Sequence, residues 1–429
     1  MNSSRSSRNA DSSVMRLAPL YSGLAHGFRM LSALVILKLI AVYVGPDGLA
    51  RLGFFMSLAS ILAVFSGGGI TNAVIKFVAE YRDSPIRVVR FLGSAILYGS
   101  TFSIALLVLS IVFAVPLANL VFDNTEFWWM MPVFGLSQVF AFVGVVTLST
   151  ANGLGRQDIF AAITVTAYLG SMLISYGLIS NMGIAGGALA LALVTASVGF
   201  VSSIVISRSK LLRVVRLRCD YYAFSKLFRF TLIAISAALF FPVTEILLRS
   251  QIITTLGFDT AGYWQGLVRL SSAYIGFFSV FLATTFMPRL SATVDLSVCR
   301  RLVLRQILTV GAVFLFCAAV IYLLREPIIL LVFSAEFLPI IDVIAWQLLG
   351  DLLRISSFVV GFLLVSKAAT KLYIGAEFIQ FAIYLALTST IIRFGGSLDA
   401  IAQGYAISYG AYLAIMLGLL FWYTRERDA

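Results

Sequence analysis

The sequence predicts an all-α polytopic membrane protein of about twelve transmembrane helices, arranged as two six-helix bundles. Three observations carry this reading. The chain has 429 residues of which 60% are hydrophobic and only 12% charged, too apolar for a soluble globule. Its apolar residues fall into twelve separate segments, each about the 20 residues that a helix needs to cross a bilayer core. Its basic residues recur in alternate connections rather than in one patch.

The segments run Leu20 to Val44, Leu52 to Ala79, Phe91 to Val121, Phe127 to Thr150, Ile159 to Ile179, Ile184 to Ile206, Phe228 to Leu256, Tyr263 to Met287, Val303 to Leu324, Leu338 to Ser366, Leu372 to Ile392 and Leu398 to Tyr423. Turn-forming residues separate them at Gly45-Pro46-Asp47-Gly48, Phe122-Asp123-Asn124, Asn181-Met182-Gly183, Gly257-Phe258-Asp259 and Gly395-Gly396. The seven connections and ends on the amino-terminal side hold 22 Lys or Arg, whereas the six opposite loops hold only Arg51, Arg325 and Arg393. By the positive-inside rule both termini are cytoplasmic. Residues 1–19 form a Ser/Arg-rich tail with no cleavable signal pattern, expected to be disordered.

A weak internal repeat divides the remainder. Gly45-Pro46-Asp47-Gly48-Leu49 followed by Gly53-Phe54-Phe55 is echoed by Gly257-Phe258-Asp259 followed by Gly276-Phe277-Phe278. Six spans per half give parallel repeats, 20–207 and 228–424, joined by a basic cytoplasmic linker at 208–227, with a short tail at 425–429. The linker suits either the anionic leaflet surface or a simple positive-inside connection.

Six cations lie inside the spans: Arg29, Lys38, Lys76, Arg249, Arg269 and Arg354. Burying each costs about 3 kcal/mol or more, so such residues face protein, water or a charged ligand. Only Glu80, Glu245, Asp351 and Glu377 lie at comparable depth, and the excess of positive charge suits an anionic cargo. In the second span Ser66-Gly67-Gly68-Gly69 should break the helix before Asn72, Lys76 and Glu80, whose four-residue spacing puts them on one stripe. That stripe faces a cavity or snorkels to the headgroups. In the seventh span Pro242 precedes an i,i+4 pair, Glu245 and Arg249, which reads as an ion pair. In the tenth, Asp351 and Arg354 form an i,i+3 pair near mid-membrane. Arg29 and Lys38 are nine residues apart, half a turn out of phase at about 100° per residue, so only one can face a given cavity. Arg29, on the face of the sole histidine His26, is the candidate. Arg269 with Gln265, and Gln380 with Glu377, complete the set. Asp351 and Glu377 are the candidate proton- or ion-coupling groups.

Several chemistries are excluded. No Gly-x-x-x-x-Gly-Lys-Ser/Thr loop is present, so the chain does not hydrolyse nucleotide itself. One histidine and no Asp-x-Asp pair leave no metal cluster, and no cofactor is expected. Short outer loops leave little room for a membrane glycosyltransferase or polymerase. The distributed charge argues against nucleic acid. Cys219, Cys299 and Cys317 are not expected to pair.

Gly45-Pro46-Asp47-Gly48-Leu49, Gly67-Gly68-Gly69-Ile70-Thr71-Asn72, Lys76-Phe77-Val78-Ala79-Glu80-Tyr81, Trp264-Gln265-Gly266, Ala345-Trp346-Gln347-Leu348-Leu349-Gly350-Asp351 and Ala376-Glu377 occur in an order that resembles the Wzx family of bacterial flippases, within the wider MATE-like exporter superfamily. The resemblance extends from about Leu20 to Tyr423 and is strongest to the branch handling lipid III of enterobacterial common antigen and O-antigen units. It implies two bundles around a central cavity that opens alternately to either side. It also implies a cargo of oligosaccharide on undecaprenyl pyrophosphate, an inner-membrane location, and work alongside a polysaccharide polymerase and chain-length regulator. Arginine suits a diphosphate, and Asn72, Gln138, Gln265, Gln380 and Tyr384 suit sugars. A MATE-like drug exporter is the rival, but it should favour cavity carboxylates over cations.

Overall fold

A computed structural model describes residues 3–122, 124–208, 215–367 and 369–425. Lys210 and Arg213 of the basic linker, and the last four residues of the tail, lie outside the described residues. The described residues form α-helices and short 3-10 or π turns, with no strand among them. In order these are α1 (Ser3–Tyr43), α2 (Gly45–Phe65), α3 (Thr71–Glu80), α4 (Pro85–Val112), α5 (Ala114–Phe122), α6 (Met130–Gly153), α7 (Gln157–Ser207), α8 (Tyr221–Leu256), α9 (Phe258–Phe281), α10 (Met287–Ala292), α11 (Leu296–Leu323), α12 (Arg325–Val332), α13 (Ile344–Ser366), α14 (Thr370–Arg393) and α15 (Leu398–Arg425).

Among the described residues, eleven helices are long and apolar enough to cross a membrane. The longest, α7, has 51 residues but leaves helical geometry at Gly183, where φ is 54° and ψ −125°. A Cβ on Gly186 would overlap the carbonyl of Leu178. In a straight helix those residues are separated by about 12 Å of rise, so the chain must fold back at Gly183 into a hairpin. Dividing α7 there gives twelve crossing segments, the number expected.

Two expectations need correction. α1 begins at Ser3, not near Leu20, so the tail expected to be disordered continues the first helix; neither glycine nor proline interrupts Ser3 to Arg16. The third apolar segment, read as one helix to Val121, breaks at Phe113 between α4 and α5. The cause is Pro116, which has no N–H for the carbonyl of Val112 and crowds it sterically.

The chain forms two compact units: the first is Met1–Val44 with Phe54–Leu239, the second Gly45–Gly53 with Phe240–Ala429. In the first, α7 packs along α1 and α6, and α6 along α4. Gly199 of α7 sits where a Cβ would overlap the backbone of Phe140 in α6. Such close approach is how membrane helices gain contact when lipid removes the hydrophobic drive between them. The Ser66–Gly69 break between α2 and α3 is present as expected, with positive φ at Gly68 and Gly69. It is also held in place. Ser103 Oγ donates to the Ser66 carbonyl and Thr231 Oγ1 to the Gly68 carbonyl, while Ser66 Oγ donates to the Gln138 carbonyl at 2.9 Å. Around it Val74, Phe77, Phe91, Tyr98, Phe142 and Leu227 form a buried cluster.

In the second unit α13 is central, packed against α9, α11, α14 and α15. Gly350 of α13 lies where a Cβ would overlap the ring of Tyr405, so its absence lets α15 bring that tyrosine to the Asp351 level.

Candidate functional site

The charged residues expected inside the spans fall into distinct settings. In the second unit, α8 and α9 form a helical hairpin whose turn is Gly257, with φ 89°. Glu245 and Arg269 lie twelve residues on either side of Gly257, and Arg249 and Gln265 lie eight on either side. An antiparallel hairpin brings residues equidistant from its turn to the same level. Each helix also presents its two polar residues at i,i+4 spacing, on one face. The result is a two-rung ladder. Arg269 Nη2 donates to Glu245 Oε2 at 2.7 Å, and Arg249 Nη2 donates to Gln265 Oε1. Arg249 Nη2 also lies 3.8 Å from Glu245 Oε2. The expected Glu245–Arg249 pair is therefore present, but the shorter ion pair of Glu245 is with Arg269.

Burial separates the members. Arg249 is 0% exposed and Glu245 3%, whereas the Arg269 side chain is 21% exposed. Space for the Arg249 guanidinium comes from Gly53, where a Cβ would sit 2.7 Å from Arg249 Nε. Its guanidinium carbon lies 5.6 Å from the centre of the Trp264 ring. Two guanidiniums thus share one carboxylate, leaving a positive charge whose exposed end is Arg269.

A second cluster surrounds Asp351, which is fully buried on α13. Its carboxylate accepts hydrogen bonds from Ser271 Oγ at 2.6 Å, Tyr405 Oη at 2.7 Å and Tyr274 Oη. Gln347 Nε2 donates to Ser271 Oγ at 2.8 Å. Arg354 Nη1 donates to the same Tyr405 hydroxyl at 3.3 Å. The i,i+3 pair expected between Asp351 and Arg354 is not a direct ion pair among the described residues. Tyr405 bridges the two, because α15 inserts its hydroxyl at that level. The Arg354 guanidinium instead lies 4.7 Å from the Phe241 ring centre and 5.5 Å from that of Tyr409, with its Nε lacking a hydrogen-bond partner. Stacked arginines of this kind retain charge while shedding water.

Between the two clusters lies an enclosed cavity of about 10 Å³, bordered by Glu245, Ser271, Gln347, Arg354, Tyr384 and Tyr405. It has space for about one water molecule and none for a sugar. Gln265 and Arg249, both 0% exposed, are sealed inside the same unit. On α14 and α15, Tyr412 Oη donates to Glu377 Oε1 at 2.9 Å, and Gln380 Nε2 reaches Ser408 Oγ at 3.5 Å. Gln380 Oε1 has no hydrogen-bond partner among the described residues.

The expected residues of the first unit have surroundings of their own. Arg29 is exposed on α1, and His26 packs at an angle against the Phe160 ring at 6.3 Å. Asn72, Lys76 and Glu80 share one exposed stripe of α3, opposite buried Ala73, Val74, Phe77 and Val78. Gln138 is buried on α6. Sequence reasoning missed Ser271, Tyr274 and Tyr405 as partners of Asp351. It also missed the register of the α8–α9 hairpin, which the equal spacing about Gly257 encodes.

No protein-family model matches the sequence. The chain is 29% identical over 397 residues to the Lipid III flippase of Escherichia coli (strain K12), covering 92% of this chain and 95% of that one. Its structure is similar to that of the lipid II flippase MurJ in an inward closed conformation, with a TM-score of 0.70 at 16% identity over 94% of this chain and 87% of that chain. It is also similar to an inward-facing multidrug resistance MATE family transporter, with a TM-score of 0.68 at 13% identity over 93% and 94% of the two chains. A multi-pass helical membrane protein with two interior charge clusters therefore has the transporter fold of MurJ and the MATE proteins of the MOP superfamily.

Proposed function

We propose that the protein is a flippase that moves an oligosaccharide linked to undecaprenyl pyrophosphate, a lipid III or O-antigen unit, from the cytoplasmic to the periplasmic leaflet by alternating access. The similarity to the Lipid III flippase along nearly the whole of both chains carries this reading. The excess of cations supports it: two guanidiniums share Glu245, and Arg354 is held by aromatic rings and a tyrosine rather than by a carboxylate. A drug exporter for cationic compounds would require the opposite bias.

In this account Arg29, Lys76, Arg269 and Arg354 receive the diphosphate, and Asn72 and Gln380 receive sugar hydroxyls. Arg249 and Gln265 act through Arg269 by fixing the hairpin ladder. Asp351 and Glu377 are the coupling groups. Their carboxylates, bonded to tyrosine hydroxyls, can exchange a proton or small ion for the charge of the cargo. The two bundles 20–207 and 228–424 move on the basic linker. The protein sits in the inner membrane with both termini cytoplasmic, performs no covalent chemistry, and passes its cargo to a polysaccharide polymerase and chain-length regulator. The test is expression in an Escherichia coli strain lacking its lipid III flippase. Restored display of the surface polysaccharide is expected, and membrane-inserted protein without restored display would contradict the assignment.

A further inference from the structure

Outside the second unit's clusters, one concentration of positive charge has an unusual support. In the first unit, Lys76 Nζ of α3 lies 5.4 Å from the centre of the Phe77 ring and 5.9 Å from that of Phe230. Lys226 Nζ, on the first turns of α8, lies 4.5 Å from the same Phe77 ring and 4.1 Å from that of Tyr222. It also reaches Tyr81 Oη at 3.4 Å. Arg87 of α4 lies 5.7 Å from the Tyr81 ring centre. Two ammonium groups are thus held against one aromatic ring, with a guanidinium beside its neighbour. Neither lysine nor Arg87 forms an ion pair among the described residues, although exposed Glu80 and Asp83 and half-buried Asp220 lie nearby in sequence.

Aromatic faces attract cations, but they do not neutralise them. Both lysines therefore keep a charge that an anion reaching this ring can neutralise. The hydrophobic packing of Phe77 with Phe91 and Phe230 fixes the ring, so the charges are positioned before any ligand arrives. A single phosphate offers one compact charge. A diphosphate carries oxygens at both ends and can engage both ammonium groups at once, with Arg87 as a third donor.

We propose that Lys76 and Lys226, backed by Phe77 and Tyr81, form a docking site for the diphosphate of an isoprenyl-linked lipid. The inference rests on the flippase reading and on the cytoplasmic orientation of the 208–227 linker. On that orientation the site lies at headgroup level in the leaflet where the cargo is made, and it captures the diphosphate before transfer.

The test uses the full-length protein in neutral phosphatidylcholine nanodiscs, titrated calorimetrically with farnesyl pyrophosphate. Lys76→Gln and Lys226→Gln should each weaken binding about tenfold, equivalent to about 1.4 kcal/mol, and the double variant further. Lys226→Arg should retain most of the affinity, and Lys371→Gln, on α14 of the second unit, should retain all of it. Wild-type melting temperature in the Gln variants excludes misfolding. Unchanged affinity in the double Gln variant would overturn the site. Equal competition by phosphatidylglycerol would overturn its assignment to a diphosphate. Complementation by the wild-type protein is scored separately. A chain that restores display while the double variant binds normally refutes this inference alone, whereas a chain that never restores display refutes the flippase reading.

Discussion

Glu245→Gln is the substitution that most directly probes the buried charge ladder. Glu245 is 3% exposed and contacts two guanidiniums, of which Arg249 is 0% exposed and the Arg269 side chain 21%. Glutamine keeps the shape and one acceptor but removes the only negative charge of the ladder. Breaking a buried pair by removing one partner costs about 3–5 kcal/mol, because the remaining charge stays in a poor dielectric. Arg269 can turn its exposed end to water, which favours the lower end of that range. A loss of about 3 kcal/mol in a unit of this size lowers the melting temperature by roughly 6–12 °C. The assay is thermal unfolding of purified protein in detergent, followed by tryptophan fluorescence, since Trp264 adjoins Arg249. The double variant Glu245→Gln with Arg249→Met removes the stranded charge and should regain at least half of the loss. A single variant that melts like the wild type, or a double variant no better than the single, would refute the argument that Glu245 neutralises these arginines.

Other substitutions test neighbouring claims. Gly53→Val should cost about 1–3 kcal/mol by crowding Arg249 and Gln265, visible as a lower melting temperature, while Gly276→Ala, with open space around it, should be silent. Arg29→Ala, Arg269→Ala and Arg354→Ala should each abolish polysaccharide display at normal membrane protein level, Lys replacements should be intermediate, and Lys38→Ala milder. Asp351→Asn keeps the side-chain shape within its hydroxyl cage but cannot bind and release a proton or cation. It should retain cargo binding yet lose transport driven by an ion gradient in vesicles. Gly183→Ala should strain the α7 hairpin by about 1–3 kcal/mol, because its φ of 54° disfavours a Cβ, and should lower the yield of folded protein.

Much of the architecture was legible in the sequence because membrane crossing is a local property. A run of apolar residues of sufficient length has few other fates, and Ser66–Gly69 and Gly183 break their helices for reasons visible in the residues themselves. Pro116 carried an equally local signal that the apolar run around it masked. The site was legible only in part. The charges were visible as exceptions to their surroundings, but their partners depend on the register between helices. The α8–α9 ladder follows from equal spacing about Gly257 and could be read once the turn was fixed. Tyr405 lies 54 residues from Asp351, and Ser271 80 residues before it. No local pattern links them; only the packing of α9 and α15 against α13, permitted in part by Gly350, brings them together. The same reason hid Lys226, which shares the Phe77 ring with Lys76 across 150 residues of chain.

The central claim is that this chain alone carries a diphosphate-linked oligosaccharide across a bilayer without nucleotide hydrolysis. Its most direct test places the purified protein in vesicles whose outer leaflet contains a fluorescent undecaprenyl-pyrophosphate-linked oligosaccharide, with an imposed ion gradient and no ATP. Loss of lectin access to the outer-leaflet sugar at a rate well above that of protein-free vesicles, abolished by Arg269→Ala, is the predicted result. A rate equal to that of protein-free vesicles under every gradient, or transport only on addition of ATP, would contradict the account.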